Sequence, residues 1–486
     1  MEAARVMPPN HGRCDDKRCP CHNLDVPVYD FDNPPKDDSP QQESFIPASH
    51  RKHPFYAILR AVLPSLILLS SLLKIRQVVI DEIRKVIDCG NSEKGGTLLM
   101  CPCCGGTKFV PFTCKSRFCP SCGNLYNMQR LVGEATVLLD VSHFHITFTI
   151  DERLRRWFLA NRLSLDDLFD AARETLLDYY AGSRQDLKNR TEVKKRFKTK
   201  GKKKRKKKQN RILTPGLVLV LHTFGRDLKW NPHLHVLCTR GALDSNAVWH
   251  EFSYISYEYL HIVFMHKLIA KLRKRFGGNK AFHKLSCEIL RDHPQGFHVH
   301  VDNVTKDDAS SGENPLKRTI KYIGRYLGRP PIAMSRIDKF DEETHMVTFH
   351  YLPHEPHEEL NPGEPMFETL HMLCFALRLI RHIPDRQFKM IRYAGLYSST
   401  AQRSHLAKWL KAHLLYKFKS REKQILLSHW RGAYMRSFHT DPVICPECKV
   451  LMEKLYVRVG NKKYWVREAY PRIPWQNYIK QPIKIA

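Results

Sequence analysis

The chain has 486 residues, 42% of them hydrophobic, which is a globular composition with material for two or three domains. Lys and Arg outnumber Asp and Glu by 80 to 49, so the net charge is +31. A field that strong favours a polyanionic partner, nucleic acid first. The run Lys194–Lys208 holds 12 basic residues and no acid; setting it aside still leaves +19, so the basicity is not one tail.

Residues 1–50 read as a disordered lead, rich in Pro, Asp and Ser. Cys14, Cys19, Cys21 and His22 fall within it. Met1–Asn10 lacks the apolar core of a secretion signal. Close CxxC spacing without such a signal indicates metal ligation in a reducing compartment, not a disulfide frame. Ala61–Leu73 is apolar but then meets Lys74 and Arg76. It is short of the roughly 20 residues a membrane span needs, so a buried helix is expected. Apolar residues at 75, 78, 79, 80, 83, 86 and 87 predict a helix that ends by Gly90 and the Gly95-Gly96 pair.

Next come Cys101-x2-Cys104 and Cys119-x2-Cys122. Two such pairs about 15 residues apart can close a tetrahedral thiolate shell around zinc. Gly105 and Gly123 follow the two pairs, where the backbone must turn tightly. Cys103 and Cys114 are spare on this assignment, though Cys114 could replace one of the four. Lys115 and Arg117 lie beside the knuckle and are candidate phosphate contacts. A zinc site that only folds its domain is equally compatible.

His143–Ile150 predicts a strand with Phe144, Ile146, Phe148 and Ile150 on one face. A helix should start at Asp151-Glu152 and a second cover about 165–180. The Lys-rich run then reads as a charged loop. Leu217–Thr223 predicts a central strand, Gly225–Pro232 a turn, and His233–Thr239 the strand that pairs back. Helix is expected over 256–276, a short strand at Val299–Val301, and a polar linker over 307–315. Beyond Pro330-Pro331, a strand is expected at Met346–Tyr351 and a helix at Phe367–Ile380. Cys445-x2-Cys448 is a lone pair with no second pair nearby. The order of elements predicts an α+β fold, an antiparallel sheet backed by helices.

Two stretches carry the candidate chemistry. In Asn231-Pro-His-Leu-His235, His233 and His235 project from the same side of a strand. Such a pair can share one cation, given a third ligand; His222, His145 and a residue near the tyrosine helix all qualify. In Leu316–Arg329, the residues Leu316, Ile320, Ile323 and Leu327 form a core-facing helical stripe. Tyr322 and Tyr326 lie one turn apart on its flank, with Arg318, Arg325 and Arg329 just beyond. The same placement suits two amphipathic boundary tyrosines. Taken with the histidines, it suits nucleophiles attacking a phosphate that a metal polarises and arginines neutralise.

Five segments, in order, resemble the two-tyrosine HUH transposases of rolling-circle insertion sequences. They are Cys114–Cys122, His145–Ile150, Leu221–His235, Tyr322–Ala333, and His382–Arg386 with Ile391–Tyr397. The resemblance implies a ferredoxin-like nuclease sheet, with Mg2+ or Mn2+ on His233 and His235 and Zn2+ in the N-terminal domain. It implies Tyr322 and Tyr326 as nucleophiles, single-stranded DNA at transposon ends and target DNA as partners, and 5′-phosphotyrosine intermediates. A bacterial, cytoplasmic, DNA-associated enzyme follows. The expected organisation is a lead over 1–50, a zinc-binding DNA-binding domain over 51–135, and a catalytic domain over 140–335 with a basic insertion at about 190–211. A mostly helical C-terminal region with a CxxC knuckle covers 340–486. A catalytically inactive, transposase-derived DNA-binding regulator is the alternative. A zinc hydrolase lacks an obvious acid/base carboxylate beside the histidines.

Overall fold

The structure, a computed structural model, describes residues 53–120, 122–123, 138–183, 213–252, 254–303, 330–353, 364–413 and 441–465. The lead over 1–50, the basic run, the 307–315 linker and the tyrosine segment lie outside the described residues. The chain divides into two compact units. One comprises Met1–Val132, Gly328–Ile383 and Phe418–Ala486; the other comprises Gly133–Leu327 and Pro384–Lys417. These units do not follow the boundaries expected in chain order, because strands from both ends of the sequence share one sheet.

Strands are numbered in chain order. The first unit opens with helices Pro54–Leu68 and Gln77–Ile87. The first buries Phe55, Tyr56, Ile58, Leu59, Val62 and Leu66 and stops at Leu68. Of the apolar stretch 61–73, expected as a buried helix, only Val62 and Leu66 are buried, and Ile67, Leu68, Leu72 and Leu73 are exposed. Among the described residues no helix is long and apolar enough to cross a membrane. The second helix buries Val79, Ile80, Ile83 and Val86, the spacing of one helical face. Strand β1 (Gly95–Met100) pairs with β2 (Thr107–Pro111) on one side and with β12 (Glu453–Val459) on the other. Strand β13 (Lys462–Trp465) completes the order β13-β12-β1-β2. A separate three-stranded sheet holds β8 (Ile337–Phe340), β9 (Met346–Tyr351) and β10 (Met366–His371).

Strand β10 corrects the helix expected from Phe367. Met366, Glu368 and Leu370 are half-buried, while Phe367, Thr369 and His371 are exposed, a period of two that suits pairing with β9. The helix begins only at Met372, where His371 caps it by accepting the Leu373 N–H at 3.3 Å.

The second unit holds the larger sheet. Its strands are β3 (His143–Phe148), β4 (Thr214–Phe224), β5 (Trp230–Leu243), β7 (Val299–Asn303) and β11 (Ile391–Gly395). Their order is β11-β4-β5-β3-β7, all antiparallel, with β6 (Trp249–Glu251) beside β5. Helices Glu152–Ala160 and Ser164–Asp178 connect β3 to β4, and Tyr257–Arg275 and Lys280–Asp292 lead into β7. Without β6 and β11 this is the strand–helix–strand–strand–helix–strand order of a ferredoxin-like α+β sheet. Asp151 starts the first of these helices by accepting the Arg153 N–H at 2.8 Å.

Strand alternation divides this sheet into two faces. Phe144, Ile146 and Phe148 join Leu217, Leu219, Leu221, Leu234, Val236 and Cys238 in one buried cluster with the helices. Val220, His222, His233, His235, His143 and His145 therefore fall on the opposite face.

Edge strand β11 explains the signature at 391–397. At Gly395, φ is +58° and an added Cβ would meet the Pro215 carbonyl oxygen at 1.8 Å, so only glycine fits. The turn after it buries Tyr397, whose ring occupies the space a side chain at Gly216 would need. The Tyr397 hydroxyl accepts the Leu139 N–H at 3.3 Å and is hydrogen-bonded with His143 Nε2 at 2.7 Å.

Burial lowers the pKa of His143 to about 4. Between that value and the ordinary one near 6.5, the unfolded chain binds a proton that the folded chain refuses. Stability is therefore lost as pH falls from about 6.5 to 4, by about 3 kcal/mol from this residue. His143→Gln should be less stable at pH 7, and the gap to the parent should narrow by about 3 kcal/mol at pH 4 in urea titrations. A gap independent of pH would contradict the buried neutral imidazole.

Candidate metal centres

Three histidines converge on the face of the larger sheet opposite its apolar core. His222 on β4 stands directly opposite His233 on β5, and His235 follows two residues later on the same face. One nitrogen from each comes within 4.8 Å of the other two. The ring centroids lie 4.6 Å apart for His222 and His235, 5.0 Å for His233 and His235, and 5.6 Å for His222 and His233. His222 is buried, while His233 and His235 are half-buried. Among the described residues, His222 is the third partner that closes this triangle.

Neighbours set the tautomers. The Asn231 carbonyl lies 2.7 Å from His233 Nδ1, so that nitrogen carries the proton and Nε2 keeps a lone pair. Asp302, on β7, faces His145, on β3, with Oδ2 3.4 Å from Nδ1. A carboxylate only accepts, so His145 donates from Nδ1 and leaves Nε2 bare. That nitrogen is 3.0 Å from His235 Nδ1, which therefore donates to it and frees His235 Nε2 for a cation. The two rings stack at 5.1 Å. A carboxylate–histidine–ligand chain of this kind orients a metal ligand and raises its basicity.

Burial keeps His235 and His145 neutral. Burial, then the charges of His222, His233 and His145, push the pKa of His235 well below its ordinary value. Burial likewise lowers His145 to about 4, against the opposing hydrogen bond from Asp302. At Asp302 burial favours protonation, but the hydrogen bonds and charges of His300 and His145 outweigh it and hold the carboxyl below its usual range. Unprotonated imidazoles with free lone pairs suit a divalent ion. Asp302→Asn should weaken Mn2+ binding by about 10- to 100-fold while leaving the fold intact, the scale for losing such a partner. Titration calorimetry with Mn2+ checks this, and unchanged affinity would remove Asp302 from the site.

The cysteines are grouped differently from the expectation. Cys101 and Cys104 do not join Cys119 and Cys122. Cys119 and Cys122 cluster with Cys89 and Cys114, all four buried. Cys101 and Cys104 cluster with Cys445 and Cys448. The reason is the β1–β2 hairpin. It carries Cys101 and Cys104 at its tip and returns the chain to Phe112, whose carbonyl accepts the Gly90 N–H at 3.0 Å. That contact sets Cys114 beside Cys89, with the Cys114 N–H donating to Cys89 Sγ at 3.4 Å.

In the first cluster the sulfurs of Cys89 and Cys122 are 3.4 Å apart and those of Cys119 and Cys89 4.0 Å. Zn–S bonds of about 2.3 Å in a tetrahedron put sulfurs about 3.8 Å apart, so the set fits zinc. The Ser116 N–H donates to Cys114 Sγ at 3.5 Å, and Tyr56 Oη lies 3.3 Å from Cys119 Sγ. Cys89 was not legible as a ligand, yet the glycine after it was a signal, since Cys104 and Cys122 share that neighbour. In the loop between these ligands Lys115 is exposed and Arg117 half-buried. Tyr322, Tyr326, Arg318, Arg325 and Arg329 lie outside the described residues.

Comparison with known proteins supports a zinc-binding domain and a transposase. The family model described as "Transposase zinc-binding domain" matches residues 64–150, and that described as "Putative transposase" matches 216–405. Together they span more than half of the chain, in the order expected. The chain belongs to this zinc-domain transposase family. The "Transposase for insertion sequence element IS801" of Pseudomonas savastanoi pv. phaseolicola is 29% identical over 350 residues, which is 70% of this chain and 75% of the relative. The "Putative transposase y4qJ" of Sinorhizobium fredii (strain NBRC 101917 / NGR234) is 24% identical over 328 residues, 66% of this chain and 74% of the relative. No solved structure matches. The transposase is thus an enzyme that acts on DNA. Its first match contains the whole Cys89–Cys122 cluster, and its second contains all three clustered histidines.

Proposed function

We propose that this transposase cleaves and rejoins single-stranded DNA at insertion-sequence ends through 5′-phosphotyrosine intermediates, in rolling-circle movement. The observation that carries the reading is the convergence of His222, His233 and His235 on the face of a ferredoxin-like sheet opposite its apolar core. Mg2+ or Mn2+ held there would polarise the scissile phosphate as a Lewis acid. Imidazole ligands favour Mn2+ over Mg2+, which prefers oxygen ligands.

The chain's own groups do the rest. The phenolate oxygen of Tyr322 or Tyr326 attacks phosphorus, and the P–O3′ bond breaks. The released 3′ oxygen takes up a proton, and the 5′ phosphate stays on tyrosine. Attack of a 3′-hydroxyl on that linkage rejoins DNA and frees the tyrosine. Arg318, Arg325 and Arg329 neutralise the non-bridging oxygens. Zinc on Cys89, Cys114, Cys119 and Cys122 holds the N-terminal domain, from which Lys115 and Arg117 contact phosphate. The setting is the bacterial cytoplasm.

Polarity tests the reading. With Mn2+ and a single-stranded oligonucleotide carrying the insertion-sequence end, a 3′ label should travel with the protein on a denaturing gel. A 5′ label should leave on a fragment ending in 3′-hydroxyl. DNA binding with neither product supports the inactive regulator instead.

A further inference from the structure

We propose that Cys101, Cys104, Cys445 and Cys448 form a second structural zinc site, which joins two segments of the chain more than 300 residues apart. Neither family match reaches Cys445 or Cys448. The four Sγ atoms lie within 4.8 Å of one another, and Cys104 and Cys445 are 3.8 Å apart although 341 residues separate them. That is the spacing of a tetrahedral zinc–thiolate site, about 3.8 Å, and far from the about 2.05 Å of a disulfide.

The two halves are built alike, which is an observation independent of the distances. Cys101-Pro-Cys-Cys104 and Cys445-Pro-Glu-Cys448 share the pattern Cys-Pro-x-Cys. Each occupies a six-residue loop at a hairpin tip, closed by Met100 opposite Thr107 in one and Ile444 opposite Leu451 in the other. The Cys101 N–H donates to the Gly106 carbonyl at 2.8 Å, and the Cys445 N–H to that of Val450 at 2.9 Å. The residue after each second cysteine turns back to the first. Gly105 donates to the Cys101 carbonyl at 3.0 Å, and Lys449 to that of Cys445 at 3.1 Å. Both of these residues have positive φ, +70° and +55°. A lysine held in the left-handed region is uncommon and implies a local constraint. In addition, the Cys448 N–H points at Cys445 Sγ from 3.5 Å, as suits a thiolate.

Two such loops facing each other present four thiolates to one ion, and the β1–β12 pairing holds them in register. Cys103 is exposed and surplus to the set.

The test uses full-length protein. Metal analysis should find two zinc ions per chain in the parent and in Cys103→Ser, and one in a Cys445→Ser, Cys448→Ser double variant. Because that variant could fail to fold, Co2+ titration of the metal-free parent supplies a second reading. Its thiolate charge-transfer and d–d bands should saturate at two equivalents. Undiminished zinc in the double variant, saturation at one equivalent, or iron in place of the second zinc would each overturn the proposal.

Discussion

A Tyr322→Phe, Tyr326→Phe double variant should form no covalent DNA adduct. Loss of the phenolic oxygens removes both proposed nucleophiles and no ligand of the histidine cluster. Deleting a catalytic nucleophile costs on the order of 10⁵-fold or more in rate, so the adduct band should vanish. Single variants should separate the roles. One remaining tyrosine can still cleave, but two successive cleavages need both. Binding of single-stranded DNA, followed by a mobility shift, should change little. An adduct of parental yield in the double variant would refute tyrosine nucleophilia and point to another residue.

The second large effect is expected at His235. His235→Ala takes one nitrogen from a three-nitrogen site and also strands the His145–Asp302 chain, which ends on its Nδ1. Lewis-acid polarisation is worth several kcal/mol. A loss of about 4 kcal/mol corresponds to about 10³-fold in the rate of adduct formation. Because His235 projects from the face opposite the helical core, stability and zinc content should be nearly unchanged. Raising Mn2+ should restore part of the rate if the remaining His222 and His233 still hold the ion weakly. Parental rates without divalent metal would show that the cluster serves another purpose.

The histidine pair was legible because it rests on strand alternation, a rule of period two that needs only local sequence. The same rule placed Phe144, Ile146 and Phe148 in the core. His222 could only be offered among several partners, since pairing register, not spacing, sets it opposite His233. Asp302 was not legible at all: it reaches His145 only once β7 lies beside β3. The cysteines show the opposite failure. Spacing there suggested a grouping, and the β1–β2 hairpin overrode it by carrying one pair away from the other. Cys445 and Cys448 looked isolated because their partners are local in space and remote in sequence. Phe367–His371 was misread as helix because the short apolar run continues into a real helix, and only pairing with β9 fixes its period.

The sheet order β13-β12-β1-β2 also sets a schedule. Strand β1 emerges early in synthesis, while its neighbour β12 begins at Glu453. At 5–20 residues per second, roughly 20–70 s pass between them. During that interval the whole ferredoxin-like unit from β3 to β11 can fold, while β1 has one flank unpaired and Cys101 and Cys104 lack two of their partners. The ferredoxin-like sheet is thus expected to mature before the N-terminal domain closes. A ribosome-bound chain stopped short of β12 should then show protease protection in the ferredoxin-like sheet and not in the β1–β2 hairpin.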